Sequence, residues 1–284
     1  MRVDLAGGWT DVHHFADSEG GAVLNAAITH YVRGELSQAE RPLRVSYHTD
    51  IPPGAGLGAS AALNVVWLAL VNASLRRRLS REKLAEQAYR LEELLGVTGG
   101  KQDQYAAALG GINFLRFEGG AVHVEPLSLS NDAQRQLRER LVLTYSGESR
   151  LSGDIHERVW GGYLSGEKKV AAALKRLKGI AFEMRDALVS GDLAPLGTLL
   201  GENWECQKEL HPSITNDAVE GLFRVAKGAG AVSGKACGAG GGGCLLFWCE
   251  EGAAPRAAEA LADAGAQVID FGLDREGLVV GREA

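Results

Sequence analysis

Between Pro52 and Ser60 the chain reads Pro-Pro-Gly-Ala-Gly-Leu-Gly-Ala-Ser, and an apolar helical run follows at once. Glycines at 54, 56 and 58 let successive backbone N–H groups converge on one point. The helix adds its unpaired N–H groups and the positive end of its dipole. Three alternating glycines ahead of a strong helix exceed what a plain strand-to-helix turn requires. Pro53, Gly54, Ala55, Gly56, Leu57, Gly58, Ala59, Ser60 and Ala61 are therefore expected to cradle a polyphosphate. Ser60, in the first helical turn, can offer its hydroxyl to a phosphate-bound Mg²⁺, a hard cation that takes oxygen ligands.

Glycine is abundant throughout: 38 of 284 residues, in short bursts between apolar segments. Average usage is ~7%, so the excess points to backbone that closely approaches a ligand. Residues 238–243 formally match Gly-x-Gly-x-x-Gly, but the next segment, 244–249, reads as a strand where a dinucleotide fingerprint requires a helix. That excludes a dehydrogenase and leaves a flexible wall, with Gly240 and Gly241 able to approach nucleotide or sugar. A Walker A loop is excluded too, because Ala229 and Ala236 stand where its first glycine and its hydroxyl belong. The opening loop, Arg2-Val3-Asp4-Leu5-Ala6-Gly7-Gly8-Trp9-Thr10-Asp11, suits a small polyhydroxy ligand. The Asp11 carboxylate can accept from two sugar hydroxyls, Gly8 and Thr10 share its loop, and Arg2 can stabilise a transferring phosphoryl group. An Asp in such a turn can equally do no more than cap backbone.

Residues 99–111 place a lone acid, Asp103, between two glycine pairs. An acid there can orient a substrate hydroxyl or take its proton. Lys101 or Arg2 would pair with it, and Gly100 and Lys101 are expected at the substrate. The bland reading is that Asp103 N-caps a short helix. Upstream, Ser80 reads as the N-cap of a helix ending near Gly96, with Leu84, Ala88, Leu91 and Leu95 as its apolar face. Glu92 falls on the edge of that face and Glu93 on the solvent side, so Glu92 is the Mg²⁺ candidate.

The chain is long enough for two domains, and 45% hydrophobic residues fill a normal core. Thirty Lys+Arg against 36 Asp+Glu, without blocks, exclude a general nucleic-acid binder. The apolar run at 61–71 is too short for a bilayer, and the start lacks a secretory pattern. Cys206, Cys237, Cys244 and Cys249 show no metal spacing and read as reduced thiols of a cytoplasmic protein. Strands are expected at 1–5, as a pair within 20–32, half-buried at 43–48, and at 110–117, 141–145, 244–249, 267–271 and 278–280. Helices are expected over 154–208, broken at Gly161-Gly162 and Gly191, and at 217–227 and 255–264. Early strands, central helices and a mixed end give an α+β chain.

Three motifs, in this order, resemble the GHMP kinases, the superfamily of galactokinase, homoserine kinase, mevalonate kinase and phosphomevalonate kinase. They are Arg-Val-Asp-Leu-Ala-Gly-Gly-Trp-Thr-Asp (2–11), Pro-Pro-Gly-Ala-Gly-Leu-Gly-Ala-Ser-Ala-Ala (52–62) and Lys-Ala-Cys-Gly-Ala-Gly-Gly-Gly-Gly-Cys (235–244). The resemblance implies a two-lobed α+β fold: a ribosomal-S5-like N-terminal lobe at 1–140 with the phosphate loop, and a ferredoxin-like C-terminal lobe at 141–284. It also implies ATP at the central loop, Mg²⁺ on Ser60 and Glu92, Asp103 as catalytic acid/base with Arg2 assisting, and Asp11 holding a sugar. Residues 99–108, 145–150 and the 203–216 region look most like D-glycero-D-manno-heptose 7-phosphate kinases, whereas the opening loop looks like L-fucose kinases. Both groups phosphorylate an anomeric hydroxyl. The implied activity is an ATP-dependent sugar 1-kinase, heptose 7-phosphate first and L-fucose or another free sugar as the alternative. Family members carry a longer stretch where 43 positions separate Asp11 from Gly54 here. A binding protein without turnover and an ATP-dependent decarboxylase are the competing classes. Lys101, Arg150 and Lys235 each stand as a grip for a substrate phosphate or as a solvated charge. Oligomeric state is open, and a homodimer is compatible with the sequence.

Overall fold

The computed structural model describes residues 1–37, 44–52, 54–148 and 152–281. Pro53 and Arg150 lie outside the described residues. In chain order the first half comprises β1 (Arg2–Ala6), α1 (His13–Glu19), β2 (Gly21–Ala27), β3 (Val32–Ser37), β4 (Arg44–Thr49), α2 (Ala59–Ser74), α3 (Arg81–Leu94), α4 (Gln102–Leu109), β5 (Ile112–Glu118) and β6 (Ala121–Leu127). The second half comprises α5 (Asn131–Arg140), β7 (Leu141–Tyr145), α6 (Ser152–Leu164), α7 (Lys168–Ser190), α8 (Leu196–Leu210), a 3₁₀ turn (Pro212–Ile214), α9 (Asp217–Gly228), β8 (Ala231–Ala236), β9 (Cys244–Cys249), α10 (Ala254–Asp263) and β10 (Gln267–Ile269).

The first sheet runs β1-β2-β5-β6, antiparallel throughout. Alternate side chains of β2 and β5 enter different cores: Leu24 and Phe114 meet Ala181 and Met184 of α7, whereas Val23 and Leu115 meet Val65, Ala88 and Tyr105 of α2, α3 and α4. With both faces covered, β2 is buried at every residue. The second sheet runs β10-β7-β9-β8, also antiparallel. Counted within that sheet, the spatial order is fourth, first, third, second, with helices between the first and second strands and between the third and fourth. This is the split βαβ arrangement expected for the C-terminal lobe, and the two-lobed α+β expectation holds. After β10 the chain leaves its sheet: Leu273 bridges Ile28, and the Leu278 N–H donates to the Ala108 carbonyl at 3.1 Å.

Several local expectations are corrected. Residues 278–280 form that returning strap instead of a strand. Residues 20–32 hold one strand, β2, before β3 begins at Val32. β4 is exposed along nearly its whole length because it pairs only with β3. Gly161-Gly162 do not break α6, whose neighbouring Val159 and Trp160 are buried; packing outweighs the ~1 kcal/mol that a helical glycine costs. Leu95 is 69% exposed because it follows the last helical turn, and the buried stripe of α3 is Leu84, Ala85, Ala88, Tyr89 and Glu92. All four cysteines are free. Among the described residues no helix is long and apolar enough to cross a membrane.

The sheets are tied by a buried ion pair. The Lys235 ammonium, on β8, donates to Asp4 Oδ2 of β1 at 2.6 Å and to the Asp4 carbonyl at 3.0 Å, with Lys235 wholly buried. Lys235 is therefore neither a solvated charge nor a free grip for phosphate. Lys235→Met leaves the Asp4 charge buried and alone, and is expected to cost about 3–5 kcal/mol. Urea unfolding followed by tryptophan fluorescence checks this, with Asp4→Asn/Lys235→Met expected to recover most of the loss.

Candidate active site

The glycine loop delivers the turn its composition promises. Gly54, Gly56 and Gly58 take φ of 79, 80 and 73°, and left-handed Gly58 caps α2. Ala55 and Leu57 alternate with them and point into the core, at 2% and 1% exposure, which anchors the loop while its backbone stays open. Ser60 is exposed in the first turn of α2. The second glycine loop crosses over it, and the Cys244 N–H donates to the Ala55 carbonyl at 2.8 Å. Between the loops lies a cavity of about 140 Å³, lined by Gly54, Gly56, Gly58, Ser60, Asp103, Ala239, Gly240 and Gly242.

A second cavity of about 210 Å³ adjoins it, bordered by Arg2, Asp4, Gly8, Trp9, Asp11, Glu92, Gly100, Gln102, Gln104 and His156. Gly56, Ser60, Asp103 and Ala239 line both cavities. Asp103 thus stands at the junction. It does not cap α4: Lys101 is the N-cap residue and makes no side-chain cap bond. The Asp103 carboxylate instead receives Arg2 Nε at 2.7 Å, with Nη2 also 2.7 Å away, while Arg2 Nη1 donates to the Gly56 carbonyl at 2.6 Å. One buried guanidinium thereby fixes the acid against the glycine loop.

Asp11 Oδ2 accepts from the Gln102 N–H at 3.0 Å, and a Cβ on Gly100 would collide with the Asp11 carboxylate, so only glycine fits there. Burial pushes the Asp11 carboxyl up to about 7; the Gln102 N–H opposes the shift and the Asp103 charge adds to it. Glu92 is held by Asn64 Nδ2 at 2.9 Å and Gln104 Nε2 at 2.7 Å. Burial first, then the Asp103 charge, push Glu92 up to about 7 as well, against the pull of those two amides. Glu93 is exposed, as its helix phase predicts.

Other expected residues sit elsewhere. The Lys101 ammonium pairs with Glu86 at 3.1 Å and lies over the Tyr89 ring, so Arg2 alone of the two cations holds Asp103. The Thr10 hydroxyl is spent on backbone: it donates to the carbonyls of Gly7 and Ala22 and accepts from the Ala22 N–H. The Gly241 N–H donates to the Ile214 carbonyl at 2.6 Å, and its own carbonyl accepts from Asn216 Nδ2 at 3.1 Å, so this glycine shapes the loop. Asn64, Gln104, Asp4, Trp9 and His156 escape the sequence reading. Asn64 was findable, since it follows Ser60 by four residues on one helix face. Gln104 and His156 carry no comparable signal.

A profile of the GHMP kinases N-terminal domain matches residues 22–111, and one of the GHMP kinases C-terminal region matches residues 184–267. The D-glycero-alpha-D-manno-heptose 7-phosphate kinase of Campylobacter jejuni is 32% identical over 327 aligned positions, covering 98% of this chain and 96% of that protein. The chain belongs to the GHMP kinases. The bifunctional fucokinase/GDP-fucose pyrophosphorylase of Arabidopsis thaliana is 29% identical over 87% of this chain and 29% of its own length. A crystal structure of a D-glycero-D-manno-heptose 1-phosphate kinase from Bacteroides thetaiotaomicron superposes with a TM-score of 0.78 at 26% identity, over 98% of this chain and 95% of that one. The 327 positions of the Campylobacter alignment exceed this chain's 284 residues, so at least 43 fall where the relative has residues and this kinase has none. Kinases of this family use ATP.

The two raised carboxyls make ligand-free stability pH-dependent. Their folded pKa lies above the unfolded value, so their contribution is fully present below about pH 4 and is lost as pH rises through about 7. Asp11→Asn is expected to remove roughly 3 kcal/mol of that decline between pH 4.5 and 7.5. Urea unfolding of wild type and variant between pH 4.5 and 7.5 measures it.

Proposed function

We propose that this GHMP kinase transfers the γ-phosphate of ATP to the anomeric hydroxyl of a sugar, with D-glycero-D-manno-heptose 7-phosphate as the acceptor. The carrying observation is the junction of the two cavities at Asp103 and Ser60. The loop 54–60 takes the phosphates through backbone N–H groups and the α2 dipole. Gly8, Asp11 and Gly100 hold the sugar on the other side, with Gly240 closing the nucleotide wall and Gly241 shaping its loop. Asp103 orients the acceptor hydroxyl and takes its proton, while Arg2 aligns the acid and presents positive charge where phosphoryl charge develops. Most of the rate gain then comes from positioning and charge stabilisation.

The oxygen donors at the junction suit Mg²⁺. Ser60 and Glu92 border the same cavity, and Glu92 is a buried carboxylate with only amide partners, which a hard cation would compensate. When bound, Mg²⁺ neutralises charge on the transferred phosphate. The protein is read as cytoplasmic and as acting on small molecules, not nucleic acid or membrane, and a homodimer is compatible with this reading.

One observation favours a second reading, a neutral acceptor such as L-fucose. Among the described residues, Arg2 is the only Lys or Arg lining the acceptor cavity, and it is bonded to Asp103. ADP release with Mg-ATP decides, comparing the heptose 7-phosphate with L-fucose and other free sugars. A preference for the phosphorylated heptose upholds the first reading, a preference for L-fucose the second, and no turnover with any sugar overturns both. Asp103→Asn is expected to lower kcat by 10²–10⁴ with the KM for ATP little changed. Glu92→Gln is expected to raise the Mg²⁺ concentration for half-maximal rate severalfold, read by Mg²⁺ titration.

A further inference from the structure

Trp9 takes φ of 80°, a left-handed conformation that only two non-glycine residues adopt among the described residues. A residue with a Cβ is strained there, and such strain persists where packing over-determines it. The packing comes from α6. The Trp9 ring stacks on His156 with centroids 4.4 Å apart and lies 6.0 Å from the Trp160 ring. Trp160 Nε1–H donates to His156 Nδ1 at 3.3 Å. An indole can only donate, so Nδ1 carries the lone pair and the imidazole proton sits on Nε2. Burial pushes His156 down to about 4, which keeps the ring neutral at pH 7. Trp9 and His156 both line the acceptor cavity, and Trp9 Nε1 is buried without a hydrogen-bond partner. A buried N–H of this kind costs free energy until something accepts from it.

We propose that His156 and Trp9 form the hydroxyl-reading wall of the acceptor site: His156 Nε2–H and Trp9 Nε1–H donate to hydroxyls of the sugar and determine which sugar is taken. The wall is brought to the opening loop by a helix of the other lobe, so the acceptor is recognised across the seam between them. Asp4 Oδ1 and Gln102 Oε1, also buried without partners at this cavity, are the matching acceptors for the hydroxyl protons. The chemistry suits a polyol face, since both donors are neutral. This inference rests on the sugar-kinase reading.

The test compares wild type with His156→Phe, which keeps a ring against Trp9 but has no donor, and with His156→Gln, which restores an N–H. On the best acceptor from the ADP-release panel, His156→Phe is expected to raise the sugar KM about tenfold. The KM for ATP and the Tm should stay unchanged, and His156→Gln should recover part of the loss. A deoxy-sugar lacking the bonded hydroxyl should be a poor substrate for wild type yet no worse for His156→Phe. An unchanged sugar KM in His156→Phe overturns the proposal. So does a rise in both KM values together with a lower Tm, which marks a packing role only. If wild type turns over no sugar, the kinase reading has failed. Calorimetric titration of the same sugars then decides the wall by whether His156→Phe weakens binding tenfold or leaves it unchanged.

Discussion

The site hangs on one guanidinium. Arg2 sits at the start of β1, is 3% exposed, and binds the Asp103 carboxylate with two nitrogens and the Gly56 carbonyl with the third. It thereby connects the edge strand of the first sheet, the first turn of α4 and the glycine loop. A lysine could not do this, because it offers a point charge where three directed donors are needed. The Arg2 N–H also donates to the Leu57 carbonyl at 3.0 Å, so backbone and side chain of one residue grip the loop on both sides of Gly56–Leu57. Burial of the guanidinium is tolerated because these partners satisfy it, and removing one would leave a desolvated charge.

Around that hub the molecule accumulates more negative charge than it pairs. Asp4 has Lys235 and Asp103 has Arg2, but Asp11 and Glu92 have only N–H donors. Their raised pKa values express the cost of burying two carboxyls without a cation, a cost that the proposed ligands, a cation at Glu92 and sugar hydroxyl donors at Asp11, would relieve. Such placements are found where binding is selected over stability. The lobes are large enough to carry them, with separate apolar cores on the two faces of the first sheet.

How much of this could be read in advance varied with the kind of signal. The turn at 54–58 was readable because its geometry is local: three glycines at alternate positions and the start of a helix suffice. Glu92 was chosen over Glu93 by helix phase, and that choice of buried against exposed side is correct. The phase was nonetheless slightly off, since Tyr89 and Ala85 are buried and Leu95 is not. β8 went unread because Ala-Val-Ser-Gly-Lys-Ala shows no apolar run; it is buried by packing beside β9 and by Lys235 turning inward to Asp4, a pairing 231 residues apart that no local pattern announces. Asp103 stands out in the sequence as the lone acid between glycines, yet its partner is ambiguous there. Only the fold shows that Lys101, two residues away, turns to Glu86 while Arg2, 101 residues away, arrives.

The glycine excess finds its explanation at the same seam. The loops 54–58 and 238–243 come from different lobes and meet backbone to backbone, not side chain to side chain. A Cβ on Gly56 would collide with the Cys237 carbonyl, and one on Gly243 would come within 2.9 Å of the Ala55 carbonyl. Each loop therefore excludes side chains on behalf of the other. This accounts for a Gly-x-Gly-x-x-Gly match that is followed by a strand: the glycines answer to a facing loop and need no helix behind them. The cavity between the two loops is consequently a property of the two lobes together. Neither motif alone builds it, and their order along the chain, one in each half, follows from the fold that presses them into contact.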